Sequence, residues 1–553
     1  MPDFLAPGVF VEETSFRSKP IEGVSTSTTA IVGVTRRGGA SPTLVTSFAE
    51  FERAYGGLAP ITIEPGVNYL AYAARAFFDE GGKRLYIARV IAASATAAAT
   101  VDLIPGKSCR FRARSAGDAG NGRMILSVVA KPVAQDALAT APEGSLVRIN
   151  RANPEYALKR GKTWRDAAAR SRAKRLASVT TAMDLLTLNV TAADKDGFTQ
   201  VFEGMGFAMG HPRYAGDVLS NDAPAGGTEA PWFCLELVSE IKALDLLRLA
   251  TPGPGQAAKE FSLLGGTDAI PSLDDWKAAF ARIVPIDDIA IVAAPGHTEF
   301  STTADAVAAE LVAHVSGTGA YRFAVLDVPR GRTVAQALEF KSRVDSRFAA
   351  LYYPWVVAAG AGATEVVLPP SGFVCGNYAR VDVERGVYKA PANEVVRGAL
   401  RFERIVSKSE QDMLNPAGVN CLRFFEGRGN RVWGARTTSS DPEWKYVNIR
   451  RYFIYLECSI DKGTQWAVFE PNADALWNSV KRTTEDFLLK EWQGGGFLGE
   501  KPEQACFVKC DRTTMTQNDL DQGRLICLVG VAVVKPAEFV ILRIGQWTAD
   551  RRT

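Results

Sequence analysis

Short apolar runs alternate with amphipathic helical segments along this 553-residue chain, and that alternation constrains its fold more than any other feature. Thr28–Val34 (TTAIVGV) reads as a buried strand. Ser47–Tyr55 (SFAEFERAY) has a serine cap and helical spacing, Tyr69–Phe78 is a second helix stopped by Gly81 and Gly82, and Arg84–Val90 is the next strand. The rhythm returns at Ser272–Ile283 (SLDDWKAAFARI), a capped amphipathic helix. A strand over Asp288–Ala293, a helix over Thr303–Val315 and a strand over Arg322–Leu326 follow. Strands separated by helices are joined by crossovers and pair in parallel, so these segments predict α/β layers on a largely parallel sheet.

The remaining segments are read by the same rules. Arg123–Val129 and Val179–Val190 are strand candidates within one or two inserted units, and Ala92–Thr100 and Pro252–Gly255 read as linkers. In Ser371–Pro391 (SGFVCGNYARVDVERGVYKAP), Gly372, Gly376 and Gly386 permit positive φ or close backbone approach. Val381, Val383 and Val387 alternate with charged residues there and predict a half-buried strand pair. Further on we expect a strand at Tyr452–Ser459, a helix at Ala473–Trp492, a strand at Phe507–Asp511, and closing strands around Leu525–Val534 and Glu538–Ile544. At the other end, Pro2, Pro7 and Pro20 surround Val9, Phe10 and Val11, which suits an extended arm that needs a partner surface.

Length sets an expectation of two to four domains, at roughly 100–200 residues each. A hydrophobic content of 47% supports sizeable cores, and a net charge of +3 gives little general attraction for nucleic acid. The longest charge-free apolar stretch, Phe348–Thr364, is broken by Pro354, Gly360 and Gly362 and should not span a bilayer. The start, Met1-Pro2-Asp3-Phe4, lacks the basic and apolar regions of a secretory signal, so we expect the chain to remain in the cytoplasm that makes it. The 8 cysteines lack zinc-module spacing and are expected to be free thiols; Cys506 and Cys510 could meet, but strand alternation around them favours simple packing.

No constellation for catalysis emerges. His211, His297 and His314 belong to no HExxH or nucleophile-elbow pattern. Gly161-Lys162-Thr163 ends like a phosphate loop, but Tyr156 occupies the position of the required first glycine. Gly117–Gly122 (GDAGNG) reads as a turn before a strand, and Asp274, Asp275, Asp287 and Asp288 read as caps at element starts. We therefore expect no catalytic, cofactor or metal residues. Lys159–Arg175 is strongly basic, with Trp164 its one aromatic; nucleic-acid contact competes there with a solvated basic helix or contact with an acidic neighbouring subunit, which we favour.

Blocks spread along the chain then agree with one family. Pro7–Glu12 (PGVFVE), Thr28–Val34 and Phe77–Val90 come first, Leu263–Asp268 (LLGGTD), Ile289–Pro295 and Leu351–Trp355 (LYYPW) lie in the middle, and Ser371–Pro391 opens the last part. Asn415–Gly418 (NPAG), Gly429–Thr437 (GNRVWGART), Trp444–Tyr452 (WKYVNIRRY), Val468–Trp477 and Val531–Gln546 (VAVVKPAEFVILRIGQ) follow in order. Together they resemble the sheath subunits of contractile phage tails, R-type pyocins and extracellular contractile injection systems. Over residues 100 to 250 only Phe111–Val128 shares the resemblance.

The resemblance implies a mixed α/β, multidomain structural subunit: an N-terminal arm (1–22), the first part of a core domain (23–100), an inserted outer α/β domain (101–260), a middle α/β domain (261–370), a C-terminal core domain (371–535) and a closing strand and arm (536–553). It implies helical, sixfold self-assembly with strand exchange between copies through Val9, Phe10, Val11, Phe539, Val540, Ile541 and Leu542. Its partners would be an inner tail tube, a baseplate and a terminator or cap protein, with no specific nucleic acid and no membrane insertion, in the tail sheath of a phage or phage-tail-like particle. A helix of the C-terminal core lines the tube in such proteins, which makes Lys481, Arg482 and Glu485 candidate tube contacts, although a mixed-charge face can also be merely solvated. The alternative is an α/β enzyme or ligand-binding protein with an unrecognised pocket.

Overall fold

The computed structural model describes residues 20–542 except 101, 105–108, 151–152, 169–172, 175–181, 222–230 and 238–240. Its centre is a nine-stranded sheet that draws on distant parts of the chain. In spatial order the strands are Glu394–Val395, Gly429–Trp433, Val419–Phe425, Ala349–Tyr353, Phe323–Asp327, Ile291–Ala293, Thr29–Gly33, Leu85–Arg89 and Thr43–Val45. The interior strands pair in parallel and the outer ones antiparallel. Thr29–Gly33, Phe323–Asp327 and Ala349–Tyr353 are buried at every residue, as a parallel sheet covered on both faces demands.

Side-chain alternation distributes these strands between two cores. Ile31, Ile87, Ile291 and Tyr352 face the helices Tyr69–Glu80 and Ser371–Arg385. Ala30, Val32, Val292 and Leu351 face Leu273–Ile283, Ala304–Ser316 and Val334–Ser342. Local chemistry sets several helix starts: Ser47 caps Phe48–Tyr55, and Ser272 and Asp275 form a reciprocal capping box.

The Ser371–Pro391 strand pair is corrected to a helix, Ser371–Arg385, buried from Ser371 through Val381. Its valine alternation has a counterpart in helical spacing: Gly372 and Gly376, four residues apart, share the face against Tyr69–Glu80. A Cβ on Gly372 would lie 2.6 Å from the Ala73 Cα, and one on Gly376 2.7 Å from the Phe77 carbonyl oxygen. The two backbones approach so closely that only hydrogen fits. Gly386 then ends the helix at φ 92°.

Tyr452–Ser459 is likewise helical, inside Val447–Thr464. Its aromatic and β-branched residues favour strands, but tertiary packing overrides that preference. Val447 and Ile454 pack on the central core, while Tyr452 and Leu456 pack on a C-terminal cluster with Phe487 and Leu488. A helix can serve two cores at once, whereas a strand would need a sheet beside it.

Between the N-terminal strands and residue 263 the chain builds a separate eight-stranded sheet, ordered Lys259–Leu263, Gly122–Pro132, Met183–Asp194, Leu146–Ile149, Glu155–Arg160, Thr163–Asp166 and Ala173–Lys174, with Thr199–Met205 also on Met183–Asp194. Its pairs are antiparallel, and burial in Met183–Asp194 alternates residue by residue from Leu186 onward. The described part of the basic segment is therefore strand rather than helix, over Glu155–Arg160, Thr163–Asp166 and Ala173–Lys174. It turns at Gly161 and Lys162, and the Lys159 ammonium is buried, donating to the Ala139 carbonyl at 2.8 Å.

The last part holds the helix Asp474–Gln493 and a two-stranded sheet, Cys506–Lys509 with Leu528–Val531. The expected strand over Glu538–Ile544 is not formed: residues 538–542 join no ladder, and the rest lie outside the described residues. A strand needs a neighbour with free backbone groups, and among the described residues none of this subunit's own pairs with it.

Candidate assembly surfaces

Glu538 is the last residue of the described chain with a polar anchorage in the subunit. Its Oε1 accepts from Asn415 Nδ2 and Arg436 Nε, both at 2.7 Å, and its Oε2 from Arg436 Nη2 at 2.7 Å and Tyr446 Oη at 3.0 Å. Lys445 Nζ stands 3.7 Å away. Burial alone would raise this carboxyl; the hydrogen bonds from Arg436 and Asn415 and the guanidinium charge outweigh it and hold the group down at about 2. Arg436 is fixed in turn: its backbone exchanges hydrogen bonds with the Asn420 side chain at 2.7 Å each way, and its Nη1 donates to the Asn415 carbonyl at 3.0 Å.

Immediately beyond this socket the chain turns outward. Phe539, Val540, Ile541 and Leu542 are 71–80% exposed, an uninterrupted apolar segment with no covering element among the described residues. Val9, Phe10 and Val11 lie outside the described residues. The root of that N-terminal segment is docked, however: Ile21 is buried with Tyr452 and Leu456, and Val24 N donates to Ser459 Oγ at 3.1 Å.

The sheet of Cys506–Lys509 and Leu528–Val531 presents a complementary surface. Among the described residues Cys506–Lys509 and Leu528–Val531 pair only with each other; segment 496–498 closes the edge just beyond Val531, through Leu498 N to the Ala532 carbonyl at 2.7 Å and the Phe497–Val533 bridge, and the outer backbone of the two strands themselves is unladdered. Phe507, Leu528 and Val529 are exposed on it, while Val508 and Ala505 anchor it to Phe487 and Leu488. Such a pair of strands is weak alone and readily takes another.

In Asp474–Gln493 one face carries the buried Leu476, Trp477, Val480, Phe487 and Leu488. Arg482 and Glu485 are exposed; Lys481 is half-buried and reaches Glu485 at 3.9 Å, one helical turn away. The candidate tube contacts thus share one helix surface, with Arg482 free of any internal ion pair among the described residues.

The other chemistry resolves into packing. His297 donates from Nδ1 to the Ala294 carbonyl at 2.6 Å, and burial pushes it down to about 4; His314, also lowered to about 4 by burial, meets Arg322 Nη1 at 2.7 Å. Cys510 neighbours Cys527 rather than Cys506, and all eight cysteines are free. Gly161-Lys162-Thr163 is the tight turn of a hairpin, with Gly161 at φ 60°. Among the described residues no cluster of three or more His, Cys, Asp or Glu is placed to hold a metal. No described helix is long and apolar enough to cross a membrane. A cavity of about 420 Å³ lies where the inserted sheet meets the central one, and ion pairs bridge its rim: Arg36 Nε donates to Asp196 at 2.9 Å and Arg37 pairs with Asp194.

Asn415, Arg436, Tyr446 and Glu538 were each inside a block singled out in the sequence, but their convergence was not. Only tertiary structure brings three separated blocks around the carboxylate of a fourth.

Residues 272–438 match the phage tail sheath protein central domain family, and residues 439–546 the phage tail sheath C-terminal domain family. The tail sheath protein of Burkholderia phage BcepMu is 27% identical over 376 residues, covering 60% of this chain and 73% of that protein. The contracted sheath complex of the extracellular contractile injection system PVC is 37% identical, covering 50% of this chain and 76% of that one, with a TM-score of 0.45. The contracted helical sheath of the anti-feeding prophage shares the fold over 98% of this chain and 100% of that one, at 22% identity and a TM-score of 0.54.

Proposed function

The chain belongs to the contractile tail sheath family, and from that premise we propose that it polymerises helically around an inner tail tube, engages a baseplate at one end, and contracts to drive the tube through a target envelope. The observation that carries the assembly step is the pairing of an exposed apolar extension, Phe539–Leu542, with a two-stranded sheet whose outer edges are open. Each is a hazard in isolation and each satisfies the other when copies meet head to tail. Donation by one copy to the next is heterologous, and repetition of a heterologous contact builds a helix. Each inserted strand adds hydrogen bonds worth about 0.5–1.5 kcal/mol apiece, and several neighbours engaged together make the lattice far stronger than one contact.

Val9, Phe10 and Val11 would add a second donated strand from the N-terminal arm, rooted at Ile21. Arg482, with Lys481 and Glu485, would meet complementary charge on the tube. Contraction needs no bound nucleotide in this reading: the extended lattice is held kinetically and released at the baseplate.

The test is assembly itself. Purified alone, the full chain is expected to form tubes or rings by electron microscopy, and a chain ending at Glu538 is expected to remain dispersed. Tubes from the shortened chain at the yield of the full one would overturn strand exchange through the C-terminal segment.

A further inference from the structure

We infer that Glu538 is a clip that fixes the exit point of the C-terminal strand and so positions Phe539–Leu542 for insertion into the two-stranded sheet of a second copy of this chain; the inference rests on the strand-exchange reading above. A carboxylate has about four acceptor sites, and those of Glu538 are all taken: Asn415 and Arg436 Nε on one oxygen, Arg436 Nη2 and Tyr446 on the other. The donors are themselves held. Arg436 is buried and locked to Asn420 and Asn415, and Tyr446 stands at the residue before the Val447–Thr464 helix, where its carbonyl accepts from Arg450 N at 3.1 Å.

This anchorage serves a residue that belongs to no helix or strand and adds nothing to an apolar core. Upstream, Val534 N donates to the Gly496 carbonyl at 3.3 Å, and Pro536 then offers no backbone donor. Downstream, the chain is exposed at once. Glu538 is therefore the point at which a loose extension becomes a tethered one, one residue before the apolar segment. Fixing that root shrinks the volume the following residues explore and raises their effective concentration at a neighbouring sheet. Glu538 is a positioning residue in this scheme: it touches its own subunit, and the strand after it touches the next.

The experiment compares full-length Glu538→Gln, Glu538→Arg, Arg436→Glu and the Glu538→Arg/Arg436→Glu pair with the parent and with the chain ending at Glu538. Tube yield and assembly rate are read by electron microscopy and light scattering, and subunit melting is read in the dispersed state. Glu538→Gln is expected to slow assembly about tenfold, as loss of effective concentration does, at a temperature where the dispersed subunit is still folded, its melting being lowered only by the loss of this carboxylate's internal bonds. The exchanged-charge pair is expected to recover assembly that each single reversal loses. Parent assembly rates in Glu538→Gln, or a dispersed Glu538→Gln subunit already unfolded at the assembly temperature, would overturn the clip. Should the charge reversals fail to fold, Tyr446→Phe, which removes one donor alone, decides by the same two readouts: slower assembly at unchanged melting supports the clip, and unchanged assembly overturns it. If the chain ending at Glu538 forms tubes normally, strand exchange fails and the clip with it; if that chain is blocked while Glu538→Gln assembles normally, the clip alone fails.

Discussion

Asp327 sits wholly buried at the start of the Ser371–Arg385 helix and accepts from Ser371 N at 2.7 Å and Ser371 Oγ at 2.6 Å. Burial drives its carboxyl up from 3.8 to about 7 against those bonds. The folded chain therefore retains a proton that the unfolded chain has already released over that interval, and stability from this site is full below about pH 4 and lost as pH rises to about 7. Glu80 acts in the same sense: burial raises it to about 7 although Arg380 and Arg397 oppose the shift. Asp327→Asn is expected to flatten the decline of Tm between about pH 4 and pH 7, measured by calorimetry of the dispersed subunit; a slope equal to the parent's would show that Asp327 ionises normally. Glu538 has the opposite sign, its stabilisation being present above the ordinary glutamate range and lost as pH falls toward about 2.

The seam between Tyr69–Glu80 and Ser371–Arg385 turns on hydrogen in place of side chains. In an open helix, Gly→Ala gains ~1 kcal/mol of propensity. At Gly376 the added Cβ meets the Glu80 Cβ at 2.6 Å and the Phe77 carbonyl at 2.7 Å, and overpacking against backbone costs about 1–3 kcal/mol. The steric cost prevails, so Gly376→Ala is expected to lower the urea midpoint at unchanged slope; a gain in stability would mean that the helices separate freely. The helix Asp474–Gln493 poses the contrary case, because its outer face is open. The Lys481–Glu485 pair is worth about 0.2–0.5 kcal/mol. Lys481→Glu with Arg482→Glu is accordingly expected to leave subunit melting nearly unchanged and to reduce extended, tube-filled particles while contracted sheaths still form. Normal counts of tube-filled particles would remove this helix from the tube contact.

For the whole molecule, the question is where the body ends and the connections begin. Ile21 packs with Tyr452, Leu456 and Phe487, so a cut after residue 22 removes core as well as arm. Deleting residues 1–19 is expected to preserve melting and abolish tubes. Deleting residues 1–22 should lose tubes and a further roughly 2–5 kcal/mol, the range for emptying a buried Ile site. Equal melting of the two truncations would show that Ile21 contributes nothing to the isolated subunit, and tubes from the shorter deletion would rule out donation by the N-terminal arm.

Periodicity, caps and turn residues were enough to read four of the parallel strands, Thr29–Gly33, Leu85–Arg89, Ile291–Ala293 and Phe323–Asp327, and the helices Tyr69–Glu80, Leu273–Ile283 and Ala304–Ser316, because these are stabilised by patterns that lie within a few residues of one another; Ala349–Tyr353, Val419–Phe425 and the helix Val334–Ser342 were not read. The ordered motif blocks likewise pointed to the family from the chain alone. Where local preference and packing disagree, the reading failed: Ser371–Arg385 and Val447–Thr464 carry β-branched and aromatic residues yet are helical, since their stability comes from distant backbone and side chains they meet only after folding. The Glu538 socket lay beyond the sequence for the same reason, its donors standing between 92 and 123 residues away along the chain. The last apolar segment marks the remaining boundary: its β-prone composition is written locally, but whether it is a strand depends on an edge that no described part of its own subunit supplies.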